Sequence, residues 1–141
     1  GADIAIWAIG PMVGDALSLA KLLAEQGISI SVVNARFIKP LDTDLLTTHA
    51  KSHQLVVTME DHVLSGGFGS AALETLQEKG IATPVHRIGW PDRFIDHGNS
   101  VHSLRNANGL CHETLETQIL EKFKSSGGVA KALPSTAGVR N

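Results

Sequence analysis

Cysteine is nearly absent from this chain, and so are long apolar runs and any excess of one charge. Cys111 stands alone, which rules out an intrachain disulfide framework and a cysteine-based zinc site and is in keeping with a reducing cytosol. Lys and Arg total 12 against 14 Asp and Glu, for a formal net charge of −2. No basic excess points to nucleic acid, and no acidic run points to a disordered tail. No charge-free stretch reaches the ~20 residues that a membrane-spanning helix needs. The opening residues Gly1-Ala2-Asp3-Ile4 lack the basic start and long apolar run of a signal peptide. They read instead as the beginning of a strand, from which we expect a fragment of something longer.

What remains is the composition of one ordinary domain: 141 residues, 43% hydrophobic and 18% charged. A chain of that length buries roughly two-thirds of its unfolded surface. Ile4 to Ile9 is a short apolar run closed by Gly10-Pro11, the pattern of a strand buried on both faces. A helix follows, with Val13, Leu17, Ala20 and Ala24 as its stripe, widened by Ala16, Leu19 and Leu23 and ended by Gly27. Ile28, Ile30 and Val32 alternate with serines as a second strand, and Asp42 or Thr43 caps a helix running towards His49. Leu55 to Met59 is β-branched and apolar, hence a central strand. Ala71 to Lys79 reads as a helix, Val85 to Ile88 as a fourth strand, and Trp90 to Asn99 as irregular. Helices are expected around Val101–Asn106 and His112–Lys124. Strands alternating with helices predict a parallel-dominated α/β sheet covered on both faces. The domain is assigned to 1–124, with 125–141 as a flexible tail lacking periodicity.

Four segments carry candidate chemistry. Gly67-Phe68-Gly69-Ser70-Ala71-Ala72 matches G-x-G-x-x-A, but a dinucleotide fingerprint must follow its strand at once, and no acid stands at Gly89-Trp90 to hold a ribose. Close helix packing fits better, and an anion held by free N–H groups of Gly66, Gly67, Phe68, Gly69 and Ser70 remains an alternative. Glu60, Asp61 and His62 end the central strand; neighbours in extended chain point opposite ways, so capping or interface salt links fit better than a metal site. Asp96-His97 and Cys111-His112 invite proton-transfer and thiolate readings that adjacency alone does not support. His49, His53, His86 and His102 show no metal-ligand spacing. From the residues alone, no complete catalytic set emerges.

Several segments together resemble the C-terminal domain of transketolase-like thiamine-diphosphate enzymes. They are Gly10-Pro11-Met12-Val13, the stretch Asn34-Ala35-Arg36-Phe37-Ile38-Lys39-Pro40-Leu41-Asp42, and Glu60-Asp61 followed by Gly66-Gly67-Phe68-Gly69-Ser70. These also resemble the β subunits of 2-oxoacid dehydrogenases. The run Gly89-Trp90-Pro91-Asp92-Arg93-Phe94-Ile95-Asp96-His97-Gly98 is similar to the deoxyxylulose-phosphate synthase branch.

The resemblance implies a three-layer α/β/α sandwich with a mixed, mostly parallel five-stranded sheet. The fifth strand would lie near Phe94 or the C-terminus. It implies a whole enzyme that uses thiamine diphosphate and Mg2+ to condense pyruvate with glyceraldehyde 3-phosphate, in the bacterial cytoplasm or plastid stroma. No cofactor and no catalytic residue is assigned to this chain, because the G-D-G…N motif and the activating glutamate belong to preceding domains. The expected partners are those domains and a second subunit, as a homodimer. The residues expected to meet them are Arg36, Lys39, Glu60, Asp61, Asp92, Arg93 and His97.

Overall fold

A computed structural model describes residues 2–98 and 100–130. Its elements run β1 (Ile4–Ala8), α1 (Met12–Ala24), β2 (Ile30–Asn34), α2 (Thr43–Ser52), β3 (Leu55–Val63), α3 (Phe68–Glu78), β4 (Val85–Trp90), α4 (Val101–Ala107) and α5 (His112–Ser125). The strands form one sheet in the order β2-β1-β3-β4, with every neighbouring pair parallel. Four strands are found among the described residues rather than five. The chain around Phe94 is irregular, and the tail beyond residue 130 lies outside the described residues.

β1 explains the layering. All five of its residues are buried, and the period of two along a strand sends alternate side chains to opposite faces. Ile4, Ile6 and Ala8 join a core with α1 and α5, while Ala5 and Trp7 join a second core with α2 and α3. Two apolar faces need two helical layers, and the result is an α/β/α sandwich. Asp3, 2% exposed, anchors the amino ends of three strands. Its carboxylate accepts from the Ser29 N–H (2.7 Å) and Gln54 Nε2 (3.1 Å), and its carbonyl accepts from Gln54 N.

Helix α1 is rotated from the expected stripe. Met12, Ala16, Leu19 and Leu23 are buried, whereas Leu17 is 52% exposed and Ala24 lies at the surface. A helix rich in Leu and Ala on every side carries no single stripe, so the tertiary partner decides which face goes in. Helix α2 starts where its cap requires, the Asp42 carboxylate accepting from Leu45 N at 3.0 Å. Strand β3 continues beyond Met59 to Val63, with its pairing to β4 irregular between those two residues. Helix α3 begins at Phe68, ahead of the expected Ala71.

All four strands being parallel, their carboxyl ends and the loops after Ala8, Asn34, Val63 and Trp90 gather at one end of the sheet.

Two histidines sit where burial disfavours the charged imidazolium. Burial first, and then the neighbouring His53, holds His49 below its ordinary value of 6.5. His86 is lowered chiefly by burial, against a raising hydrogen bond from Gln118. Each takes up a proton more readily in the unfolded chain, so this contribution to stability is complete above pH 6.5 and is lost as pH falls below it. Thermal unfolding followed across pH 8 to about 5 therefore shows a falling midpoint, and His49→Leu reduces the slope. A flat profile in the parent chain contradicts this assignment.

Candidate functional site

At the end of β3 the pleat separates two adjacent carboxylates. Met59 faces the α1/α5 side of the sheet, so Glu60 faces the α2/α3 side and Asp61 returns to the first. Glu60 is 1% exposed. Its two oxygens accept from the first N–H groups of α3, Oε2 from Phe68 N at 2.6 Å and Oε1 from Gly69 N at 2.8 Å. A carboxylate at a helix N-terminus satisfies orphan donors and meets the positive end of the helix dipole.

The glycine-rich loop is built around that carboxylate. Gly66 has φ +69°, the left-handed region that glycine enters without strain. A Cβ on Gly67 collides with the Glu60 carboxylate, and one on Gly69 comes within 2.6 Å of Thr58 Oγ1 and 2.9 Å of Arg87 Cδ. The fingerprint-like spacing thus serves close packing of α3 on β3 and β4. Ser70 Oγ donates to Leu64 O and accepts from Arg87, whose guanidinium also donates to Leu64 O at 3.0 Å. An external anion at Gly66 to Ser70 would meet Phe68 and Gly69 donors that Glu60 already engages. Glu60, expected at an interface, lies inside the fold as a cap of α3.

Asp61 faces other partners. Its Oδ1 accepts from Trp90 Nε1 at 2.7 Å, and its Oδ2 pairs with Arg105 at 3.2 Å. Arg105 reaches on to Asp15 of α1 at 3.3 Å, and Asp15 also accepts from His112 Nε2 at 2.7 Å. Asp15 is thereby engaged by both Arg105 and His112. Among the described residues no group of three or more His, Cys, Asp or Glu can hold a metal. The described residues do not fit a thiamine-diphosphate–magnesium site. The thiolate-base idea fails on geometry as well: Cys111 Sγ lies 3.0 Å from Thr114 Oγ1, which lowers the thiol, while His112 is committed to Asp15.

The remaining expected contact residues are at the surface. Arg36, with φ 55°, donates its N–H to Asn34 Oδ1, and Lys39 is exposed in the same loop after β2. Asp92, Arg93 and His97 are exposed in the loop after β4, with Arg93 reaching Asn108 Oδ1 at 2.9 Å. β2 and β4 are opposite edges of the sheet, three strand spacings or about 14 Å apart. The two sets share an end of the molecule without forming one cluster.

Between and beside them lie apolar side chains that the polar bias of the sequence reading passed over. Phe94 is 104% exposed, Phe37 63% and Ile38 42%. A groove of about 520 Å³ runs from Val63 and Trp90 to Phe94 and Ile95. An exposed aromatic that lines a groove, as Phe94 does, marks an interaction surface more reliably than an apolar side chain standing singly. The signal available in sequence was Phe37 and Phe94 standing in turn-rich, otherwise polar segments.

Comparison with known proteins agrees with this geometry. The family model described as the transketolase C-terminal domain matches residues 1–111. The chain is 44% identical over 128 residues, 91% of its length, to a 1-deoxy-D-xylulose-5-phosphate synthase of Caldanaerobacter subterraneus subsp. tengcongensis. It is 52% identical over 110 residues, 78% of its length, to the enzyme of that name from Heliobacterium modesticaldum. It covers 20% and 17% of those relatives, so the chain spans about a fifth of the length of the curated proteins it matches. Among solved structures, a split-gene transketolase described as an inactive β4 tetramer superposes with TM-score 0.79 at 35% identity. That match covers 88% of this chain and 40% of the other.

Removing the internal cap has a defined cost. Glu60→Gln keeps shape but replaces charged acceptors and brings an amide against backbone donors, and lowers stability by about 1.5–3 kcal/mol in chemical denaturation. Phosphate added to the parent chain gives no saturable rise in melting temperature. A neutral Glu60→Gln, or a saturable phosphate effect, contradicts the occupied-loop geometry.

Proposed function

The chain belongs to the transketolase C-terminal domain family, and from that premise we propose that it is the C-terminal domain of a 1-deoxy-D-xylulose-5-phosphate synthase, docking on the rest of its enzyme without itself performing chemistry. In this reading residues 1–124 form the domain and 125–141 a tail. The whole enzyme joins pyruvate, with loss of CO2, to glyceraldehyde 3-phosphate on thiamine diphosphate and Mg2+. It works as a homodimer in the cytoplasm or, in a plant, the plastid stroma. The cofactors are held by the other domains.

One observation carries the proposal: two runs that resemble the family, of which Gly89–Gly98 is the one similar to the synthase branch, carry exposed apolar side chains at the carboxyl end of the sheet. The Gly89–Gly98 run holds Phe94, and the Asn34–Asp42 run holds Phe37 and Ile38. A large aromatic side chain left wholly in water stabilises nothing in the isolated chain. Buried against a partner, it becomes the kind of anchor that dominates interface energetics. Arg36, Lys39, Asp92, Arg93 and His97 form the polar rim of that surface in our reading. Asp61 contributes by holding the loop after β4 in place. A homologous chain that is longer than this one and is described as inactive supports a non-catalytic role.

The 2-oxoacid dehydrogenase β subunit is the weaker alternative, because the curated relatives compared above are synthases. A free-standing anion-binding module loses its physical basis once Glu60 occupies the helix terminus.

Two measurements test the proposal. The purified chain gives no heat of binding with thiamine diphosphate and Mg2+ and no decarboxylation of pyruvate; turnover by the chain alone rejects it. In the full-length enzyme, Phe94→Ala weakens subunit or interdomain assembly roughly tenfold or more, with Arg93→Ala acting in the same direction. Sedimentation and activity unchanged in both variants remove this end of the sheet as the docking surface.

A further inference from the structure

Helix α4 is anomalous in the fold. None of its seven residues is buried, Leu104 being half-buried where it packs against Gly98, and a helix this short has little stability of its own. It nevertheless ends the excursion that begins at Trp90 and carries Asp92 to His97. Something other than burial must fix that segment.

The fixings converge on one carboxylate. Asp61 accepts through Oδ1 from the indole of Trp90, the last residue of β4, and pairs through Oδ2 with Arg105 on α4. The two ends of the 91–104 segment are therefore gripped by opposite oxygens of a single side chain. Arg105 extends the grip by placing its other terminal nitrogen on Asp15 of α1. The Arg105 side chain is 19% exposed and those of Asp15 and Asp61 are 21% and 32%, and the three are joined in one network, the setting in which ion pairs near the surface contribute most. Within the segment, Arg93 donates to Asn108 Oδ1, a second tie between the loop and the end of α4. Ser100 and Ser103 close the helix N-terminus with a reciprocal cap.

We infer that Asp61, Arg105 and Asp15 form a clasp that holds residues 91–98 and the helix α4 in one arrangement, presenting Phe94 on a preset loop rather than a floppy one. Asp61 and Arg105 are positioning residues. Loss of the clasp leaves the sheet standing and frees the segment. That a preset loop aids docking rests on the reading given above, since pre-organisation reduces the ordering cost of association. The clasp itself does not depend on that reading.

The test uses amide hydrogen exchange on the 141-residue chain, with parent, Asp61→Asn, Arg105→Ala and Arg105→Lys compared. Helix amides within α4 and the turn after it, such as Leu104 N bonded to Ser100 O and Leu110 N bonded to Arg105 O, report the segment; amides of β1 and β3 report the sheet. Asp61→Asn and Arg105→Ala each speed exchange in the segment roughly five- to tenfold while the sheet amides keep parent rates, because local and global opening are separable. Arg105→Lys, unable to reach two carboxylates with a fork of donors, falls between parent and alanine. Segment exchange unchanged in Arg105→Ala overturns the clasp. So does an equal acceleration of sheet and segment, which makes the residues ordinary contributors to global stability. Parent-like exchange in Arg105→Lys overturns the bridging geometry. Exchange is read on the chain alone, so these outcomes hold whether or not the loop docks; a normal clasp with unaltered assembly in Phe94→Ala rejects only the docking reading.

Discussion

The end of β3 carries two neighbouring carboxylates that the pleat sends to opposite faces of the sheet, and the carboxyl end of the sheet is organised around that split. Glu60 goes under α3 and accepts from its first two N–H groups. Asp61 goes to the other face and takes Trp90 and Arg105. A buried carboxylate is tolerable only when its charge is met by donors, since an unpaired one costs several kcal/mol; here the helix terminus supplies them. The glycines of the loop follow from that geometry, because any Cβ at position 67 or 69 strikes the strand beneath.

This arrangement turns a familiar ligand site into a structural joint. Loops at the carboxyl ends of parallel strands, followed by a helix N-terminus, are where α/β folds commonly bind phosphates. In this chain the protein's own glutamate fills the place. What is left at that end is apolar: Phe37, Ile38 and Phe94 stand in water, with charged residues around them. A surface of that kind suits contact with another folded surface better than a small anion. That is consistent with a chain that matches only about a fifth of its curated relatives.

The layering was legible in the sequence because β1 and β3 are continuous apolar runs, which bury on both faces and demand helices on both. The face of α1 was not. Its leucines and alanines surround the helix, so the choice of Met12, Ala16, Leu19 and Leu23 over Leu17 and Ala24 belongs to packing. The polar run Glu60-Asp61-His62 looked like the end of a strand, yet β3 runs on to Val63, with the two carboxylates satisfied by the cap and the Trp90 contact. Capping was among the roles that alternation allowed for this run, whereas resemblance placed Glu60 at an interface. In the structure its two oxygens accept from Phe68 N and Gly69 N. Arg105 gave no signal at all: its partner Asp15 is 90 positions away, and no local pattern reports such a pairing. Phe37 and Phe94 were readable as aromatics in turn-rich segments, but nothing local in the sequence distinguishes an exposed aromatic from a buried one.

The central claim is that the loops after β2 and β4 are a buried junction in the whole enzyme. Hydroxyl-radical footprinting of the isolated chain against the full-length enzyme measures it directly, with Phe37 and Phe94 as the probes. The account predicts that both phenylalanines react readily in the isolated chain and are shielded in the full-length enzyme, while exposed Leu17 on α1 reacts equally in the two. Equal reactivity of Phe37 and Phe94 in both forms would contradict it.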